Sequence, residues 1–110
     1  MSEDFTPQEK IARLEALVEM DPEDYLGYFL LGKLYLDTDQ YARSAEMLEK
    51  CLELKPDYSA AWRFCGDAWR KSGDLNRARA TYERGIVVAE ANGDLQTVKE
   101  MKALLGKLTA

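Results

Sequence analysis

Apolar and polar positions alternate along this chain with the period of a helix, not of a strand. Ile11, Leu14, Leu17 and Val18 recur at three- and four-residue steps, and Val98, Met101, Leu105 and Leu108 do the same near the other end. Each set forms one stripe of an amphipathic helix. Start and stop signals divide the chain into six such segments. Thr6-Pro7-Gln8-Glu9 combines an N-cap threonine, a proline at the first helical position and a glutamate three residues on, which is a capping box. Asp21-Pro22-Glu23-Asp24 ends that helix and places acidic groups at the start of the next. Further helices are predicted near 24–37, 41–54, 59–72, 75–91 and 95–108. Pro56, Ser72-Gly73-Asp74 and Asn92-Gly93-Asp94 separate them; glycine there tolerates a positive φ and aspartate caps the next helix. The chain reads as all-α.

Residues 25–58 and 59–92 carry one pattern twice, offset by 34 residues without a gap. The first copy reads Tyr28-x-x-Leu31-Gly32-x-x-Tyr35, then Ser44-x-x-x-Leu48, Cys51 and Pro56. The second reads Trp62-x-x-Cys65-Gly66-x-x-Trp69, then Ala78-x-x-x-Tyr82 and Gly85. Few letters are shared; side-chain size is what recurs. A glycine inside a helix costs about 1 kcal/mol relative to alanine, so Gly32 and Gly66 need a packing reason. The expected reason is a close crossing of the two helices of each hairpin, with Ser44 and Ala78 as the small residues facing the glycines and the aromatics filling the core around them.

A size pattern at this fixed period marks a helical-hairpin solenoid. It resembles the tetratricopeptide repeat (TPR) family over roughly residues 7–108. The stretch Gly93-Asp94-Leu95-Gln96 and the helix after it also look like the ends of small stand-alone bacterial TPR proteins. The resemblance implies an α-α superhelix of about six helices, a right-handed solenoid segment. Residues 1–6 are expected to be disordered. Segment 7–24 reads as the second half of a repeat whose first half is missing, 25–58 and 59–92 as two full repeats, and 94–108 as a C-terminal capping helix. The second repeat lacks the closing proline, so its last helix can run on to Gly93.

In this family the first helices of successive hairpins line a concave groove. Counting about 100° per residue from the packing positions leaves Leu26, Phe29, Leu30, Lys33 and Asp37 on the opposite face of one helix. Ala60, Arg63, Phe64, Asp67, Arg70 and Lys71 take that place in the other. The partner-binding candidates are therefore Leu26, Phe29, Leu30, Lys33, Arg63, Asp67, Arg70 and Lys71. The segment 25–36 is apolar almost all round, and such a helix is normally buried all round. A peptide ligand, a second copy of the protein, or the chain's own first helix folding inward would each cover it. The basic set Arg63, Arg70 and Lys71 reads either as a solvated face or as a rim for acidic residues of a peptide. Lys33 and Phe64 stand where the family's carboxylate clamp would want other residues, which speaks against that mode.

Composition narrows the rest. The 110 residues suffice for one domain with a modest core. There are no histidines and two cysteines without metal-ligand spacing, so zinc sites and histidine triads are excluded. No phosphate loop or nucleophile elbow occurs, and an enzyme is not expected. No cofactor is implied. Residues 1–57 sum to −8 and residues 58–110 to +3. A net charge of −5 without aromatic interleaving on the basic face argues against nucleic acid. No stretch approaches the ~20 apolar residues of a membrane span, and no secretory signal is seen at the start. A cytoplasmic scaffold for a protein or peptide partner, or a self-associating structural protein with an apolar homodimer interface, are the readings left.

Overall fold

The computed structural model describes residues 4–109, which form six helices: α1 (Pro7–Met20), α2 (Tyr25–Asp37), α3 (Tyr41–Leu54), α4 (Ser59–Ser72), α5 (Leu75–Asn92) and α6 (Leu95–Thr109). The helix ends agree with the predicted signals. The Thr6 side chain accepts from Glu9 N at 3.2 Å while Thr6 N donates to the Glu9 carboxylate at 2.8 Å, completing the capping box. Asp24 caps α2 by accepting from Leu26 N, and Asp74 caps α5 by accepting from Arg77 N. Gly73 (φ 93°) and Gly93 (φ 72°) close α4 and α5 in the left-handed region. The equivalent turn of the first hairpin holds Asp39 at φ 61°, the one non-glycine residue with positive φ among those described. Of the N-terminal segment expected to be disordered, residues 1–3 lie outside the described residues, whereas the Arg13 guanidinium stacks on the Phe5 ring at 4.1 Å.

Each helix packs on its neighbours in sequence, and α4 also touches α2 and α6. The result is an elongated stack, 46 × 26 × 26 Å, with α2, α4 and α6 adjacent on one side. The crossings explain the glycines. A Cβ on Gly32 would stand 2.6 Å from Leu48 Cγ, and one on Gly66 would overlap the Tyr82 ring. The atoms nearest each missing Cβ thus belong to the large residue of the second helix. Ser44 also meets Gly32, donating a 2.6 Å hydrogen bond to its carbonyl. Leu48 and Tyr82, themselves 34 residues apart, are both fully buried.

One cluster, built from Tyr28, Phe29, Leu48, Cys51, Leu52, Ala61 and Cys65, joins α2, α3 and α4. A second joins Ala78, Tyr82, Ile86 and Ala89 of α5 to Val98 and Met101 of α6. Trp62 and Trp69 are partly buried between them and contact both. The two cysteines are buried free thiols. Asn92 straps the second repeat to the loop before it, donating to the Asp57 carbonyl at 2.7 Å and to Ser59 Oγ at 2.8 Å.

Candidate functional site

The eight candidate residues lie on α2 and α4, but the structure gives them different work. Phe29 is buried. Its ring packs on Tyr58 at 4.7 Å and on Phe64 at 5.9 Å between centroids, so the neighbouring first helix covers it. The helix count put Phe29 on the outward face; the loop residue Tyr58, which that count ignores, closes over it. Lys33 lies above this aromatic pair, its Nζ 5.6 Å from the Phe29 centroid and 5.1 Å from that of Phe64.

On α4, Asp67 is buried beneath three partners. Tyr82 OH donates a short hydrogen bond to Asp67 Oδ1, and the guanidinium groups of Arg63 and Arg70 stand 3.6 Å and 3.5 Å from its oxygens. Arg70 Nε also donates to Tyr82 OH at 3.2 Å. Arg63 reaches across to α6, where its Nη1 donates to Glu100 Oε1 at 3.2 Å. Burial, then the Asp67 carboxylate, pushes the Tyr82 phenol up, so it remains a proton donor throughout the ordinary pH range. Arg70 is thus braced by the buried Asp67 and Tyr82, and Arg63 by Glu100 with the Asp67 carboxylate beside it, rather than free to swing. Lys71 is exposed.

Leu26 and Leu30 belong to a different surface. Each is 43% exposed, and both turn toward α1 rather than α4. With Leu14, Leu17 and Met20 of α1 they line an apolar trough between the first two helices. The trough continues past Leu34, with Lys10, Arg13, Lys33 and Asp37 around that end and Asp21 and Asp24 at the other. Self-cover by α1 is therefore partial. It shields Gly27 and Leu31 but leaves Leu26 and Leu30 open. On the other side of α1, Tyr35 OH donates to Glu15 at 2.7 Å in a polar cleft shared with Arg43 and Glu46.

Five residues were not singled out from sequence as parts of a site: Tyr82 and Glu100, which anchor the arginines, and the row of partly exposed Leu14 with exposed Leu17 and Met20. For the row a signal was available. Shifting α3 by one repeat maps its buried Leu48 and Cys51 onto Leu14 and Leu17.

A stack of 34-residue helical hairpins whose first helices share one face defines a helical-repeat solenoid. Residues 29–94 match the tetratricopeptide repeat family, and the chain belongs to it. It is 42% identical over 98 residues to a TPR repeat-containing protein of Pseudomonas aeruginosa, covering 89% of this chain and 93% of that one. A solution structure from Bordetella parapertussis superposes with a TM-score of 0.79 at 34% identity, covering 90% of this chain and 86% of the other. PcrH, solved in complex with the chaperone-binding region of PopD, superposes with a TM-score of 0.88 over 94% of this chain and 78% of that one; at 15% identity it shares the fold alone. No helix among the described residues is long and apolar enough to cross a membrane.

Proposed function

We propose that this protein is a non-catalytic interaction scaffold that holds a peptide or helix of a partner protein against the concave side made by α2 and α4. The observation that carries the reading is the braced cationic face: Lys33 over its aromatic pair, Arg63 and Arg70 locked around Asp67, and Lys71 free at the edge. Pre-ordered side chains lose little entropy when a ligand arrives. Their net positive charge suits acidic residues on that ligand, with Phe29 and Phe64 as the apolar floor beneath. PcrH holds a segment of PopD on the same fold, which supports a segment-binding role by analogy of architecture.

Arg63 and Arg70 double as structural ion pairs, so the test uses the two lysines. Affinity purification from the source cell, with wild type beside a Lys33→Glu/Lys71→Glu variant, should recover partners that the variant loses while its helical circular dichroism is unchanged. An identical set of captured proteins from both would remove the groove reading.

A further inference from the structure

The trough between α1 and α2 is made of repeat-core positions with nothing over them among the described residues. α1 spans 7–20 and α3 spans 41–54, the same span one repeat later. In α3 the residues at the inner positions, Leu48 and Cys51, are fully buried because α2 lies across them. Their counterparts in α1 are Leu14, partly exposed, and Leu17, 55% exposed. Likewise Phe64 of α4 packs under Phe29 and Lys33 of α2, while its counterpart in α2, Leu30, is open. Among the described residues no helix occupies this end, and α2's place in the next repeat shows where one would lie: antiparallel to α1 and touching Leu30.

We infer that this place is filled by α1 of a second copy, giving a dimer in which the two α1 helices pair antiparallel about a two-fold axis and each caps the other's trough. Three observations select this occupant. A two-fold axis perpendicular to α1 brings the two copies of that helix together antiparallel, which is the direction the missing helix must run. The ends of the trough have opposite character: Lys10 and Arg13, with Lys33 and Asp37 beside them, at one end, and Asp21 and Asp24 at the other. Residues 10 and 21 are about 16 Å apart along the helix, so antiparallel pairing sets the cationic end of each copy against the acidic end of its mate. Finally, the other terminal helix is a poor candidate. The outer residues of α6, Gln96, Lys99, Lys102 and Lys107, are polar and exposed, and a head-to-tail stack would press ammonium groups onto leucines.

The contact is small. A helix of this length is about 21 Å long, and a face two helices wide falls below the roughly 800 Å² per partner of a standard interface. The dimer should therefore dissociate on dilution into the micromolar range. It leaves Arg63, Asp67, Arg70 and Lys71 uncovered; of that cationic face Lys33 also borders the trough, so Lys71→Glu alone probes the concave side without touching the dimer.

Light scattering after size exclusion, over loads from about 1 to 500 µM, should show the mass rising from 12.5 kDa toward twice that value. Leu17→Asp should hold the protein at the monomer mass with unchanged circular dichroism. Val87→Asp, an equally exposed apolar site on α5, should leave the dimer intact. Arg13→Glu and Asp21→Lys should each weaken the dimer about tenfold, by setting like charges together at both ends. An equimolar mixture of the two should dimerise as wild type does, because each end then holds one positive and one negative group. A wild-type mass fixed at 12.5 kDa throughout would overturn the inference and leave the trough to a helix of another protein. A dimer that survives Leu17→Asp, or a mixture no stronger than its components, would overturn it equally.

Discussion

Replacing Gly66 with alanine separates two opposed effects on this fold. Intrinsic helix propensity favours alanine in a helix interior by about 1 kcal/mol. Against this, the added Cβ would overlap the Tyr82 ring, standing 2.5 Å from Cδ1 and 2.8 Å from Cζ. Overpacking of this kind costs typically about 1–3 kcal/mol. Tyr82 has no easy retreat, since it is fully buried and its hydroxyl is held by Asp67 and Arg70. Tilting the ring away weakens hydrogen bonds to charged groups, each worth about 1.5–3 kcal/mol. Steric cost plus hydrogen-bond cost exceeds the propensity gain, and Gly66→Ala should lower stability by about 2–4 kcal/mol. Gly106→Ala supplies the contrast, because a Cβ there meets nothing within 4 Å. That change should be neutral or stabilising, by at most about 1 kcal/mol. Urea unfolding monitored by circular dichroism measures both. A Gly66→Ala protein as stable as wild type would refute the close-crossing account of the repeat glycines, whatever Gly106 did.

The turns and the core give two more expected outcomes. Asp39→Gly should raise stability in urea by about 0.5–1 kcal/mol, because it removes a left-handed aspartate where the second repeat has Gly73. A fall would mean that the exposed Tyr41 hydroxyl bond to Asp39 outweighs the backbone strain. Burial pushes the Cys51 thiol up to about 11 and the Cys65 thiol up to about 12, from an ordinary 9.0. The native state thus keeps both protons where the unfolded chain releases them. Stability from this source is intact below pH 9 and drains away as pH climbs toward 11–12. In urea titrations the alkaline loss should shrink in a Cys51→Ala/Cys65→Ala protein, leaving the part above pH 10 that the raised Tyr35, Tyr58 and Tyr82 phenols contribute; a loss of wild-type size there would assign all of it to other groups.

Much of this protein is determined by short-range information. Helix ends depend on a cap or a glycine within a few residues, so Thr6, Asp24, Gly73 and Gly93 were legible in the chain alone. The repeat is legible because a hairpin buries the same sizes at the same spacing each time; Gly32 against Leu48 recurs as Gly66 against Tyr82. What faces the partner depends on elements far apart in sequence. A helix count assigns Phe29 and Asp67 outward, but Tyr58 and Phe64 roof the first, and Tyr82 with two arginines encloses the second. The apolar excess of residues 25–36 announced that something must cover them. Only the tertiary structure decided that α4 covers Phe29, that α1 covers Leu31, and that Leu26 and Leu30 stay open beside Leu17. Periodicity fixes the direction of a side chain relative to its own helix, whereas burial depends on whether another helix is there to meet it.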